Sequence, residues 1–388
     1  MVTLLCRNSR FVLIAFVAYL LGSGTLLHAA DGTLDSPNLE VVAKLEGPLV
    51  TGITVSRRGR IFVSYPRWTD PLQYSIAEIV DGKAVAFPDE AASGENVPAK
   101  DRLISIQSVV IDSQDRLWAL DSGTINQGPT IDDGPKLIAY DITSRTASEK
   151  IAIPEQVAHR DSYLNDVRFD LRRGKGGYAF ISDSSTHGLN AIIVVDLATG
   201  ESWRRLDGNR TLRPQPGFLP LVNGTPLMVR EPGQRSHPLA VGCDGIALSP
   251  DGALLYYSPL TGKHLYSVSV DALVDRSKND QTVALTVVDL GDKGTASDGL
   301  AMDAKNRLYL TSYEHNAIFR RNADGTIDTL IKDQRLQWPD TLAISRDHFL
   351  YVTANQLNLT PRFHEGKDMR RSPWYIFRIQ IDAGPVAR

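Results

Sequence analysis

Residues 244–258 read DGIALSPDGALLYYS: an acidic start, apolar residues alternating through Ile246 and Leu248, a Ser-Pro-Asp-Gly turn, and a second apolar run ending at Ser258. Period-two alternation on both sides of a tight turn is the signature of a β-hairpin. The same unit recurs five more times, as TGITVSRRGRIFVS from Thr51, QSVVIDSQDRLWAL from Gln107, NDVRFDLRRGKGGYAFIS from Asn165, DGLAMDAKNRLYLT from Asp298 and DTLAISRDHFLYVT from Asp340. A third apolar strand follows most copies, for example KLIAYD from Lys136 and AIIVVD from Ala191, and a fourth is expected after Glu201, Thr282 and Thr326. One short helix is expected between Val270 and Asp280. Four-stranded repeats without a long amphipathic helix describe propeller blades better than sandwich strands or solenoid coils. The expected fold is all-β, a six-bladed β-propeller. The segment from Asn38 to Gly47 has no hairpin partner of its own, so it is assigned as the outer strand of the last blade, tying the ends of the ring together and removing two open sheet edges.

Length alone, 388 residues, suggests two or three domains at about 150 residues each. The repeats instead make residues 31–388 one domain. With 42% hydrophobic residues there is ample material for a core, and a net charge of −3 provides no basic field for nucleic acid or an anionic membrane. Residues 1–30 carry Arg7 and Arg10, no acidic residue, an apolar run from Phe11 to Leu21 and the small-residue site Ala29-Ala30, the layout of a signal peptide. Cleavage there gives a secreted or periplasmic protein without a stable membrane span; an uncleaved signal anchor is the alternative. Only Cys6 and Cys243 are present, so neither a disulfide framework nor a thiolate zinc site is available. A monomer is expected.

The ordered set LWALDSG (117–123), LNDVRFD (164–170), YAFISD (178–183), IIVVDLATGESWR (192–204), SDGLAMDAKNRLYL (297–310) and QWPDTLAIS (337–345), with residues 244–260, resembles the royal jelly protein/yellow family of secreted six-bladed propellers. The likeness runs from about Arg102 to Gln356, without the cysteines of the insect members. It implies an extracellular or periplasmic protein. For function it implies less, since the family includes nutritive proteins, binders of small amines and proteins linked to dopachrome conversion, and no catalytic residue carries over. A more distant similarity is to the gluconolactonase/senescence-marker-protein propellers, which hold a divalent ion with a Glu, an Asn and an Asp. Asn165, Asp244 and Asp298 match polar channel positions of that pattern, but Thr51 stands where the Glu belongs.

The repeat register itself points to one face. The first strand of each blade lines the axis, so the polar first positions Thr51, Gln107, Asn165, Asp244, Asp298 and Asp340 form a ring at one channel mouth. Clustered carboxylates there raise one another's pKa unless a cation or proton sits among them. Oxygen donors suit Ca²⁺ or Mg²⁺, with Asn165, Asp244 and Asp298 as the ligands, and a cationic amine satisfies the same ring. Against this, Asp or Asn before a strand commonly bonds its own backbone, and Asp-Gly is a turn dipeptide. Loops after the second strands reach the same face with Asp183, His187 and His315, the two histidines being the natural general bases for a reaction. Trp338, just before Pro339-Asp340, is placed to wall a ligand funnel. The readings left open are a binder of a small polar or cationic organic molecule through Asn165, Asp183, Asp244, Asp298, Trp338 and Asp340; a metal-dependent lactonase or dopachrome-type tautomerase; and an interaction platform using residues 206–241.

Overall fold

The computed structural model describes residues 36–386, so the expected signal peptide lies outside the described residues. Six four-stranded antiparallel sheets are arranged as blades. In blade 4, for example, Cys243–Leu248 pairs with Leu254–Pro259, then His264–Ser269, then Val288–Asp292. The last residue of each inner strand's repeat, always Asp or Ser, closes the hairpin by accepting backbone N–H groups. Asp112 takes those of Gln114 and Arg116, Asp303 those of Lys305 and Arg307, and Ser249 that of Leu254. These side chains replace ladder bonds that a tight turn leaves open.

Blade 6 is completed by the N-terminal strand Glu40–Leu45, which pairs with Trp374–Gln380 beside Phe349–Ala354 and Pro339–Ile344. The ring therefore closes as the sequence indicates. Two local expectations change. Residues 280–284 form a short helix capped by Asn279, whose side chain accepts from Thr282 N, so the outer strand of blade 4 begins only at Val288; a second short helix occupies Val270–Val274. Blade 1 also has its third and fourth strands, Ile76–Val80 and Lys83–Ala86, which its weak alternation conceals.

The core is not one mass but one apolar cluster between each pair of neighbouring blades. Between blades 2 and 3, Trp118 stacks on Phe169 with ring centroids 4.8 Å apart. Each blade thus buries both faces, which explains why a middle strand such as Ala191–Asp196 is apolar almost throughout rather than alternating. Among the described residues no helix is long and apolar enough to cross a membrane.

Candidate functional site

At the channel end where the inner strands begin lies a cavity of about 860 Å³. Gln107, Asn165, Asp244, Asp298 and Asp340, first positions of five blades, line it. The backbone explains their convergence. In blades 2, 3, 4 and 6 the pairing register of the inner strand breaks at this position, between Ile106 and Ser108, Leu164 and Val167, Cys243 and Ile246, and Pro339 and Leu342. A β-bulge re-aims a side chain out of the pleat. Here the repeated bulge turns Gln107, Asn165, Asp244 and Asp340 into the channel, and Asp298 of blade 5 joins them without one. The glycines that follow have a separate reason. A Cβ on Gly245 would strike the Asp298 carbonyl oxygen, and one on Gly299 the Asp340 carbonyl oxygen, because adjacent inner strands crowd at the axis. Asp-Gly here marks inter-blade contact within a strand start, not a turn.

Asp244 is 4% exposed. Among the described contacts it accepts no hydrogen bond from an amide, hydroxyl or cation, and its side-chain partner is the carboxyl of Asp298. Two carboxyls bond each other only when one retains a proton, so the pair behaves as one acid. Asp298 also accepts the indole Nε1 of Trp338 at 2.7 Å, and Asp340 accepts Asn355 Nδ2 at 2.7 Å and Thr341 Oγ1 at 3.0 Å. Burial first, then Asp340 and Asp166, raises Asp244 well above the usual carboxylate range; burial, Asp340 and Asp244 do the same to Asp298. Asp340 is pushed up to about 6 by burial, against the pull of its Thr341 and Asn355 hydrogen bonds and with the repulsion of Asp166. The Tyr163 phenol, raised by burial and by the same carboxylates, donates to Gln107 Oε1 at 2.7 Å and accepts from Trp68 Nε1 at 2.7 Å, building one wall.

Asp166 was not singled out from the sequence. Its Oδ1 meets Arg168 Nη1 at 2.7 Å and Ser108 Oγ at 3.2 Å, while Arg168 Nη2 donates to the Leu300 carbonyl at 2.8 Å. Arg168 belongs to blade 3 and Leu300 to blade 5, so the guanidinium reaches across the channel below the ring. It divides the aspartate cavity from a second one, about 510 Å³, at the opposite mouth.

Other candidates fall elsewhere. Thr51 does not line the cavity; its buried hydroxyl donates to the Gln107 carbonyl at 3.0 Å. Asp183 is fully buried away from it, accepting Ser162 Oγ, Tyr163 N and Ser185 N and pairing with Arg204 Nη1 at 2.8 Å, so it ties down the loop after its strand. Trp338 shows the cavity no face: it is fully buried, stacked on Tyr313 at 4.3 Å, and reaches the site only through its bond to Asp298. Its backbone is left-handed, with φ of +52°, a conformation costly for an aromatic residue and one that recurs at functional positions. His315 is also outside, bonded to Ser312 Oγ at 3.0 Å and stacked on Phe319. His187 does line the cavity. Cys243 is buried, and its thiol is pushed up by burial and then by Asp244, Asp183 and Asp166, which leaves it unreactive.

Of the residues expected to hold a divalent ion, Asn165, Asp244 and Asp298 all line the cavity, while the Thr51 hydroxyl is committed to a carbonyl; among the described residues no group of three or more His, Cys, Asp or Glu side chains is placed to hold an ion. Residues 206–241 form a wall of the cavity. Their short hairpins bury Val222, Leu227, Val229, Leu239 and Val241 against Trp338, Tyr313 and Phe363. Arg230 N donates to the Arg362 carbonyl and Glu365 N to the Arg230 carbonyl, joining this insertion to the loop between the second and third strands of blade 6.

The family model described as Major royal jelly protein matches residues 104–378. The chain belongs to that family. Major royal jelly protein 7 of Apis mellifera is 26% identical over 235 residues, 57% of this chain and 49% of that protein, so the match spans about half the length of that relative. Dopaminechrome tautomerase of Drosophila melanogaster is 23% identical over 349 residues, 82% of this chain and 72% of its own. Among solved structures, the calcium-binding protein regucalcin of Agrobacterium tumefaciens superposes with a TM-score of 0.53 over 90% of this chain and 98% of that one at 14% identity, a likeness of fold. The royal jelly family propeller thus carries the axial carboxylates on a scaffold shared with lactonase-like proteins.

Proposed function

We propose that this royal jelly family propeller binds a small organic cation in its axial cavity, with the ammonium on Asp244, Asp298 and Asp340 and an apolar or aromatic body against Trp68, Tyr163 and Leu260. The carrying observation is Asp244: a carboxylate 4% exposed, facing a cavity, with no cationic or N–H partner in the protein. Burial of an unpaired charge is costly. A bound ammonium resolves that cost, and a proton shared with Asp298 resolves it in the free protein. The N-terminal segment and the family support an exported protein that meets its ligand outside the cytoplasm. Calorimetric titration with phenethylamine tests the reading: the wild type binds, and the double variant D298N/D340N loses binding while melting cooperatively. Unchanged affinity in that variant overturns it.

A second reading is proton transfer on the bound molecule. It is favoured by the adjacent carboxyls of Asp244 and Asp298, both raised by burial and mutual repulsion, in a cavity that His187 also lines, and by the tautomerase named among the relatives. A dopachrome-type substrate converted by the wild type and not by D244N supports it; equal turnover in both removes it.

A further inference from the structure

The cavity is bipolar. Its axial end is acidic, but the loop between the second and third strands of blade 6 places Arg362 in the lining as well. Arg362 Nη1 donates to Gln127 Oε1 at 2.9 Å, linking that loop to the corresponding loop of blade 2. Arg362 Nε is buried and has no hydrogen-bond partner; the nearest anion, Glu231 Oε1, is 3.7 Å away, beyond hydrogen-bond reach. Burial lowers the Arg362 pKa and Glu231 only partly opposes this. A guanidinium has a fixed fork of donors that matches a carboxylate in two-point contact. Leaving its Nε buried and unused costs more than forming the bond gains in water. Between Arg362 and the aspartates the lining includes Leu260, Leu357 and Phe363.

Resting on the ammonium reading above, we propose that the ligand is amphoteric: a flat, apolar-bodied molecule with a cationic nitrogen at the aspartate end and a carboxylate or other anionic oxygen at the far end, received by Arg362. The ligand anion takes the place that Glu231 holds loosely. Glu231 is 38% exposed in its side chain and sits at the rim, free to turn toward solvent. Arg160 also lines the cavity but is 60% exposed and paired with Asp132 at 3.1 Å, so it adds field rather than a fixed contact.

The test uses the full chain and three matched probes: phenethylamine, 4-(2-aminoethyl)benzoate, which adds a carboxylate across the same ring, and 4-ethylbenzoate, which lacks the amine. Calorimetry at pH 7.5 is expected to show 4-(2-aminoethyl)benzoate binding at least tenfold tighter than phenethylamine. R362Q erases that advantage and leaves phenethylamine unchanged. E231Q enlarges it. Q127A, which removes the tie between the two loops but keeps the guanidinium, retains it, separating recognition of the anion from simple support of the wall. Equal binding of the two amines by the wild type, or an advantage that survives R362Q, overturns the proposal while leaving the ammonium reading intact. Failure of both amines to bind overturns the ammonium reading, and 4-ethylbenzoate binding as tightly as 4-(2-aminoethyl)benzoate shows that the aspartates contribute nothing.

Discussion

The two mouths of one channel are built from opposite ends of the same six inner strands, yet they differ in chemistry. At the strand starts, bulges in blades 2, 3, 4 and 6 bring Gln107, Asn165, Asp244 and Asp340 toward a common cavity, which Asp298 of blade 5 joins without one. At the strand ends the lining mixes apolar side chains such as Val55, Phe169 and Ile344 with Arg57, Asp112 and Arg346, so carboxylates do not gather there. Asp166 and Arg168 separate the two. The mouths differ because the polar first positions of five blades meet only at the strand starts, four of them displaced from the pleat by a bulge, while the regular remainder of each strand packs against neighbouring blades. Charge at the first mouth is held by protons and hydrogen bonds, and at the divide by an ion pair.

Breaking the divide has the largest expected effect. R168L leaves Asp166 buried without its cation and is expected to cost about 3–5 kcal/mol in urea unfolding. The double variant D166L/R168L, which removes both charges, recovers most of that loss; no recovery would show that Arg168 acts through its Leu300 contact instead. Next is the polar mouth itself. D298N/D340N is expected to weaken phenethylamine by about a hundredfold, the scale of two charge-assisted hydrogen bonds, whereas I344T at the opposite mouth changes affinity less than about twofold. A comparable loss in I344T means that the two mouths are not independent.

The pH response sharpens the comparison further through Asp340. Asp340 has a folded pKa of about 6 against an ordinary 3.8. A raised carboxyl pKa means the folded state holds its proton longer than the unfolded chain. Stability from this group is therefore fully present below the unfolded value and falls as pH rises from about 4 to 6, by on the order of 3 kcal/mol. D340N should remove that fall, so the difference in unfolding free energy between variant and wild type grows over this range and is flat from pH 7 to 8. Ligand affinity runs the other way, because an ammonium needs the ionised form: binding of phenethylamine strengthens from pH 5 to 7, by at most about tenfold per unit. A flat affinity profile would remove Asp340 from the site. The smallest effect is expected from Trp338→Phe, which keeps the ring stacked on Tyr313 but deletes the donor to Asp298, raising that carboxyl further and weakening the amine a few-fold.

Much of this was legible in residue order. The hairpin units, their number and the closing role of residues 40–45 follow from alternation and turn chemistry, which are local. The ring of first positions was legible for the same reason, as repeats place equivalent residues equivalently. Its membership was not. Thr51 and Gln107 look alike as neutral oxygens, but the Thr51 hydroxyl is short enough to bond the neighbouring blade's carbonyl, while the longer Gln107 side chain reaches the cavity. Asp183 ends a strand and His315 sits in the turn after another, both toward the expected face, yet Arg204 and Ser312 hold their side chains elsewhere. Asp166 escaped notice because strict alternation assigns it to the blade, and the bulge between Leu164 and Val167 cancels that parity.

The sequence by itself determined the all-β class, the six repeats, the closing strand and the concentration of carboxylates at one end, because each is encoded in spacings shorter than a hairpin or in the repetition of one. Only the tertiary structure decided which carboxylates meet, that Asp244 and Asp298 are buried side by side, that Arg168 reaches from blade 3 to blade 5, and that residues 206–241 wall the cavity together with Arg362. Those outcomes depend on contacts between residues from tens to more than a hundred positions apart, where a bulge, a side-chain length or a neighbouring blade's carbonyl selects the partner, and no local pattern records that choice.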